Sequence, residues 1–397
     1  SNLKSGSTLT LLIGHEYDED GDRVVWLITR SLYGMKQAGR NWYFALRDWL
    51  VKEQGFAPGS ADPCVFHKET PDGIIMLGVY VDDMVIVHTD SAARDALVAA
   101  MRKQFDFSDP EPLREVLGME IDQTPDSITI KHEKYIKNLA DTYLKGEANR
   151  KEHKTPACED LTKLVQQAVD SVQDADPALV SKYRSLVGLL LYTAITVCPD
   201  ISYAVGMLSR ALNKPTDRLL DEAKRVLQYL VQSADIGIRY MRKSSIRLYG
   251  MTDSDWTTRR STSGFAFFLG GGVISYLSKK QPTIAMSSTE AEIMAASLGG
   301  LEAIYLRMLL SDLGQKIQGA TELYVDNSGA FDLAHDYIAN ERTKHIERRH
   351  FKIRELVEEA AIHVKYVASY NNIADIFTKP LDKKTFLSLR AKLMNLT

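Results

Sequence analysis

The chain has 397 residues, 45% of them hydrophobic and 25% charged, which is the composition of ordinary globular protein and a length for about two to four domains. Its net charge of -3 gives no overall nucleic-acid signature, so a polyanionic partner would have to be met by local positive charge. Three cysteines, Cys64, Cys158 and Cys198, lie far apart with no Cys-x-x-Cys pair, which excludes a disulfide framework or zinc site by spacing and predicts a reducing, intracellular setting.

The opening Ser-Asn-Leu-Lys-Ser-Gly-Ser has no secretory pattern, and no apolar run approaching about 18 residues is read, so neither secretion nor membrane insertion is expected. Asp18, Glu19, Asp20 and Asp22 cluster around Gly21 in a turn composition. Next comes Ser31-Leu-Tyr-Gly-Met-Lys-Gln-Ala-Gly-Arg-Asn-Trp42, in which Lys36 and Arg40 read either as a solvated face or as phosphate attractors. Tyr80-Val81-Asp82-Asp83 then stands between two apolar, β-prone runs, Leu77-Gly78-Val79 and Met84-Val85-Ile86-Val87. That is the pattern of a hairpin turn holding two carboxylates in water, and such oxygens suit Mg²⁺, although an Asp-Asp pair also suits a plain turn.

Helical spacing from Ser91 to Phe105 precedes strand character at 113–121 and 127–130 and a helix over about 132–144. Residues 145–177 are highly charged and poor in aromatics, which predicts a flexible join. Helical segments follow through Leu230, with a basic surface expected at Arg218, Lys224 and Arg225. From Ile246 the order is a strand with Thr252-Asp253-Ser254-Asp255-Trp256, a hairpin through Gly264 to Ser278, a long helix from Thr289, a strand with Val325-Asp326-Asn327-Ser328, short helices, and a strand at 362–367 leading to Asn372-Ile373-Ala374-Asp375. Carboxylates at strand ends, joined by one on a crossing helix, can converge on one pocket.

These words, in this order, resemble the copia-type long-terminal-repeat retrotransposon Pol polyprotein, reverse transcriptase followed by ribonuclease H. Leu32-Tyr-Gly-Met-Lys-Gln37, Tyr-Val-Asp-Asp, Leu117-Gly-Met-Glu-Ile121, Ser287-Ser-Thr-Glu-Ala-Glu292 and Ile373-Ala-Asp-Ile-Phe-Thr-Lys-Pro380 carry the resemblance over nearly the whole chain after Val24. It implies a multidomain α/β and α+β fold: a partial palm at 1–110, thumb at 111–150, charged linker at 151–180, helical connection at 181–244, and a ribonuclease H-like mixed sheet with helices at 245–397. It further implies that Asp82 and Asp83 hold metal for DNA synthesis, with Lys36, Gln37 and Arg40 beside the nucleotide. Asp253, Glu292, Asp326 and Asp375 would hold two Mg²⁺ ions, with Mn²⁺ as the alternative, for hydrolysis of RNA in RNA–DNA hybrids.

Glu290 and Glu292 point about 200° apart on a helix, so one alone enters the site, and the Glu-Ile-Met-Ala-Ala context resembles the active-site helix of bacterial ribonuclease H, which implies Glu292. Asp255 shares a strand face with Asp253 and reads as a supporting or turn residue. In the basic segment 342–350, Lys344, Arg348 and Arg349 are expected on hybrid phosphates, while His345 and His350 read as proton shuttles or as packed, phosphate-facing side chains.

The family's further palm aspartate, upstream of the Leu-Tyr-Gly segment, has no match. The chain is therefore expected to begin inside the palm and to polymerise poorly by itself. Expected partners are an RNA–DNA hybrid, an RNA template with DNA primer, and the rest of the Pol polyprotein. The expected location is a cytoplasmic virus-like particle or the nucleus. The rival reading is a truncated or domesticated relic acting as a non-catalytic nucleic-acid-binding module; integrase-type strand transfer is disfavoured by the absence of a His/Cys zinc segment.

Overall fold

The computed structural model describes residues 10–11, 26–27, 34–105, 107–145, 152–244, 246–257, 259–335 and 352–396. The chain divides into two compact units, 1–111 with 308–315, and 112–307 with 316–397.

In the first unit β1 (Thr10–Leu11) and β2 (Trp26–Leu27) pair antiparallel. Then follow α1 (Ala38–Lys52), β3 (Ala57–Pro58), β4 (Val65–Thr70), β5 (Gly73–Tyr80), β6 (Asp83–His88) and α2 (Ser91–Gln104). Strands β3 to β6 form an antiparallel sheet in sequence order. Alternation on β5 sends Ile75, Leu77 and Val79 into a core with Leu46, Trp49 and Leu50 of α1 and Leu97 and Met101 of α2. Asp90 starts α2 by accepting from the Ala93 N–H at 3.0 Å.

The second unit begins with β7 (Glu115–Val116), β8 (Met119–Gln123), β9 (Ser127–Lys131) and α3 (Glu133–Tyr143). Helices α4 (Leu161–Asp170), α5 (Pro177–Thr196), α6 (Ser202–Ser209) and α7 (Asp217–Gln232) follow, then β10 (Ile238–Met241). The remainder is β11 (Tyr249–Asp255), β12 (Thr262–Leu269), β13 (Gly272–Lys280), α8 (Ser288–Asp312), β14 (Thr321–Val325), α9 (Ser328–His335), α10 (Lys352–Glu358), β15 (Ile362–Tyr366), a 3₁₀ turn at Ile373–Phe377, and α11 (Lys383–Leu393).

Its larger sheet has the order β13-β12-β11-β14-β15, antiparallel on one side of β11 and parallel on the other. Gly299 of α8 lies against Thr252 on one face; Ala266, Phe268 and Val273 on the other join a core with Leu186 and Leu190 of α5, Leu227 of α7 and Leu389 of α11. Helices α5 and α8 are long and apolar enough to cross a membrane, contrary to the expectation that no such run exists. Both send residues into the interior of this unit, Tyr183, Leu186 and Leu190 from α5 and Ala291, Ile293 and Ala303 from α8, which accounts for their apolarity.

The structure corrects the expected charged linker at 151–180. Leu161, Val165 and Ala168 recur at helical spacing, and α4 buries all three against the bundle. The charge that hid that stripe flanks the helix, at Glu152, Lys154, Glu159, Asp160, Asp174 and Asp176. Strand β10 also pairs with β9, in register from Ile238↔Ile130 to Met241↔Ser127, so the stretches read as thumb and connection share one sheet. Leu161→Ala should cost about 2–5 kcal/mol in chemical denaturation; a loss below about 0.5 kcal/mol, the size of an ordinary surface change, would restore the linker reading.

Candidate metal centre

The site is built beyond the paired stretch of β11 and β14. Their parallel register runs to Met251↔Tyr324, with Asp253 two residues farther along β11 and Asp326 just past the end of β14. Helix α8 crosses this end and inserts Glu292. Ligand oxygens of Asp253, Glu292 and Asp326 all lie within 4.8 Å of one another.

Close approach depends on two glycines. A Cβ on Gly299 would meet Thr252 Cγ2 at 2.6 Å, so the small residue lets α8 sit against β11. Gly264, the register partner of Asp253, leaves room for the 3₁₀ turn, because a Cβ there would meet Phe377 Cβ at 2.7 Å and Thr378 Cγ2 at 2.9 Å.

Hydrogen bonds then fix the carboxylates. Glu292 Oε1 accepts from the Ser254 N–H at 3.2 Å, while its buried Oε2 has no hydrogen-bond partner among the described residues. A buried, orphaned carboxylate oxygen aimed at two other carboxylates fits a hard divalent cation. The Thr378 hydroxyl donates to Asp253 Oδ2. Asn372 Nδ2 donates to the Thr252 carbonyl at 2.9 Å while its Oδ1 caps the 3₁₀ turn through the Ala374 N–H, tying the turn to β11. Gln281, buried, donates to Ser254 Oγ, Ser263 Oγ and the Ala291 carbonyl, joining α8 to the sheet. Lys379 Nζ lies 2.8 Å from Asp375 Oδ1 and 3.6 Å from Asp253 Oδ2.

The crowding shows in proton affinity. Burial, then Asp253 and Asp326, push Glu292 well above the carboxylate range, and burial with Asp253 raises Asp326. Burial and Asp253 lift Asp375 to about 7 against the pull of Lys379. Although burial opposes its charge, Lys379 is held above its usual value by Asp253 and Asp375.

The structure therefore brings together Asp253, Glu292 and Asp326, with Asp375 beside them on the lysine. Glu290 turns away, accepting from the Met286 N–H at 2.7 Å. Asp255 faces Arg210 and the Thr262 N–H rather than the trio, and burial raises it to about 6. Sequence reasoning missed Gln281, Asn372, Thr378 and Lys379 as builders of the site; the signal available was that three of them flank Asp375. Lys344, His345, Arg348, Arg349 and His350 lie outside the described residues.

In the first unit, Tyr80↔Asp83 pairing leaves Val81 and Asp82 as a two-residue turn. Val81 has φ +52°, at the position where such turns favour glycine. A β-branched residue there costs roughly 1–3 kcal/mol, a strain of the kind held at functional sites. Trp42 Nε1 donates to the Val81 carbonyl at 2.7 Å, clamping the turn to α1. Asp82 and Asp83 are exposed and line a cleft of about 310 Å³. Gln37 is half-buried ahead of α1, and Lys36 and Arg40 are exposed, Arg40 lying over the Phe44 ring.

A strained carboxylate turn in one unit and an acidic trio on a 3-2-1-4-5 mixed sheet in the other fit a reverse-transcriptase plus ribonuclease H-like fold. The family model for reverse transcriptase (RNA-dependent DNA polymerase) matches residues 10–157. The retrovirus-related Pol polyprotein from transposon TNT 1-94 of Nicotiana tabacum is 34% identical over 370 residues, 91% of this chain and 28% of that protein. A putative transposon Ty5-1 protein of Saccharomyces cerevisiae is 31% identical over 280 residues, 69% of this chain and 88% of that one. A solved foamy viral protease-reverse transcriptase in complex with RNA/DNA hybrid shares 13% identity with a TM-score of 0.46, over 92% of this chain and 43% of that one. The chain belongs to the family of retrotransposon Pol proteins, and it spans about a quarter of the length of the plant polyproteins it matches.

Without metal, the folded chain keeps a proton on Asp375 that the unfolded chain releases near the ordinary aspartate value of about 3.9. Folded protein then binds more protons than unfolded, so this group makes stability fall as pH rises from about 4 to about 7. Thermal melts in EDTA should show that fall, Mg²⁺ should reverse it at pH 7.5, and Asp375→Asn should reduce it, leaving the share of Glu292 and Asp326. The same slope in Asp375→Asn would contradict the assignment.

Proposed function

We propose that the second unit hydrolyses the RNA strand of RNA–DNA hybrids, using Asp253, Glu292, Asp326 and Asp375 to hold two Mg²⁺ ions, with Mn²⁺ as a substitute. The observation carrying this reading is the trio of carboxylates within 4.8 Å, one with an orphaned buried oxygen. Bound there, the metal supplies an activated water and neutralises charge on the leaving 3′ oxygen.

The chain's own groups do the rest. Thr378 and the Ser254 N–H hold Asp253 and Glu292 in place before substrate arrives, so little reorganisation remains. Lys379 balances the carboxylates and keeps Asp375 oriented. The attacking oxygen forms its bond to phosphorus as the P–O3′ bond breaks, leaving a 3′ hydroxyl on the RNA. Specificity for RNA follows from the 2′ hydroxyl, the feature that distinguishes the cleaved strand.

For the first unit the reading is RNA-directed DNA synthesis, with Asp82 and Asp83 as metal ligands. Template, primer and the rest of the polyprotein are its partners in this reading.

Asp253→Asn or Asp326→Asn should abolish cleavage of a labelled hybrid in Mg²⁺ with the fold intact by circular dichroism. Activity retained in either would remove that residue from the site. Glu292→Gln should lose at least about a hundredfold and Glu290→Gln less than tenfold, in the range of a lost transition-state contact against a supporting one; the reverse ranking would reassign the helix glutamate.

A further inference from the structure

A cleft of about 630 Å³ opens at the end of the β11–β12 hairpin, between that hairpin, the end of β13, α4 and α6. Five cations line it: Arg259 and Arg260 from the hairpin loop, Lys280 at the end of β13, Arg210 after α6 and Lys163 of α4. Arg210 Nη2 donates to Thr262 Oγ1 at 3.0 Å. Arg259 makes a two-pronged pair with Asp170, at 3.1 and 3.0 Å. The side chains of Arg260 and Lys280 have no acidic partner among the described residues.

Carboxylates in the wall offset only part of this group. Asp170 is taken by Arg259, Asp255 accepts from the Thr262 N–H and faces Arg210, and Glu159 and Asp160 are exposed, which leaves Arg260 and Lys280 unmatched. Burial, then the nearness of Arg210, Arg260 and Arg259, pulls Lys280 below its usual value. Like charges held this close are relieved by an anion placed between them.

The cleft's place in the fold narrows the anion. Asp255 pairs with Thr262 and Asp253 with Gly264, so the cleft opens two strand residues, about 7 Å, beyond the metal carboxylates. A nucleic-acid strand that met Asp253 with one phosphate and followed the hairpin would bring a neighbouring phosphate to this cleft. The wall contributed by α4 and α6 makes the site composite, beyond the sheet and α8 that hold the carboxylates.

We propose that this cleft is a phosphodiester-backbone subsite for the hybrid, with Arg260 and Lys280 as its direct contacts. The proposal rests on the reading of the second unit as a hybrid nuclease. Hybrid affinity is measured with the full chain carrying Asp326→Asn, between 50 and about 200 mM KCl, the range over which phosphate contacts register. Adding Arg260→Gln and Lys280→Gln should weaken binding about tenfold and lower the slope of log affinity against log salt by about 1.8, two phosphates' worth. Arg260→Lys with Lys280→Arg should restore both. A neutral methylphosphonate walked along the hybrid should weaken the parent at one or two positions that become silent in the double Gln variant. Unchanged affinity and slope, or a loss without those silent positions, would overturn the subsite. If wild-type chain cleaves hybrid while the double Gln variant binds as the parent does, only the subsite falls; if wild-type chain neither binds nor cleaves, the nuclease reading falls with it.

Discussion

Repulsion among carboxylates packed at the ends of two parallel strands is the constraint around which the second unit is arranged. Asp253 and Asp326 stand just beyond the paired stretch of β11 and β14, and Glu292 is driven against them by a helix that Gly299 lets sit close to β11. Buried like charges are costly unless a cation or hydrogen bonds meet them. Around these acids stand Thr378, Asn372, the Ser254 N–H and Lys379. An acidic pocket that costs this much to hold together is understandable as a metal site, where the absent charge is supplied from solution.

The helical bundle serves that pocket. Phe377, at the end of the turn carrying Asp375, is buried with α5, α6 and α7 in one core, and Gly264 lets the same turn lie flat against β12. Farther from the pocket, buried Tyr229 of α7 links Asp200 and Arg390, so helices on either side of the sheet sequence are joined through one phenol. Packing in the bundle thus fixes the position of a carboxylate on a turn that has little regular structure of its own.

Much of this was legible in the sequence because the information was local. The hairpin at Tyr80–Asp83, helices α2, α3 and α8, and the strands bearing Asp253 and Asp326 follow from alternation, helical spacing and turn composition. Opposite facing of Glu290 and Glu292 followed from helix geometry, and the structure places them as that geometry requires. What stayed hidden was long-range. Gln281 bonds to residues ten to twenty-seven positions away. The apolar stripe of α4 was masked by the charge flanking it, and Val81 adopts a left-handed backbone while Trp42 holds its carbonyl.

The most direct measurement is a crystal structure of the chain with Mn²⁺ and a non-hydrolysable RNA–DNA hybrid, read by anomalous scattering at the manganese edge. The account predicts manganese between Asp253, Glu292 and Asp326, with a scissile RNA phosphate against it. Manganese bound elsewhere, with Lys379 still the cation facing an empty trio beneath bound hybrid, would contradict it.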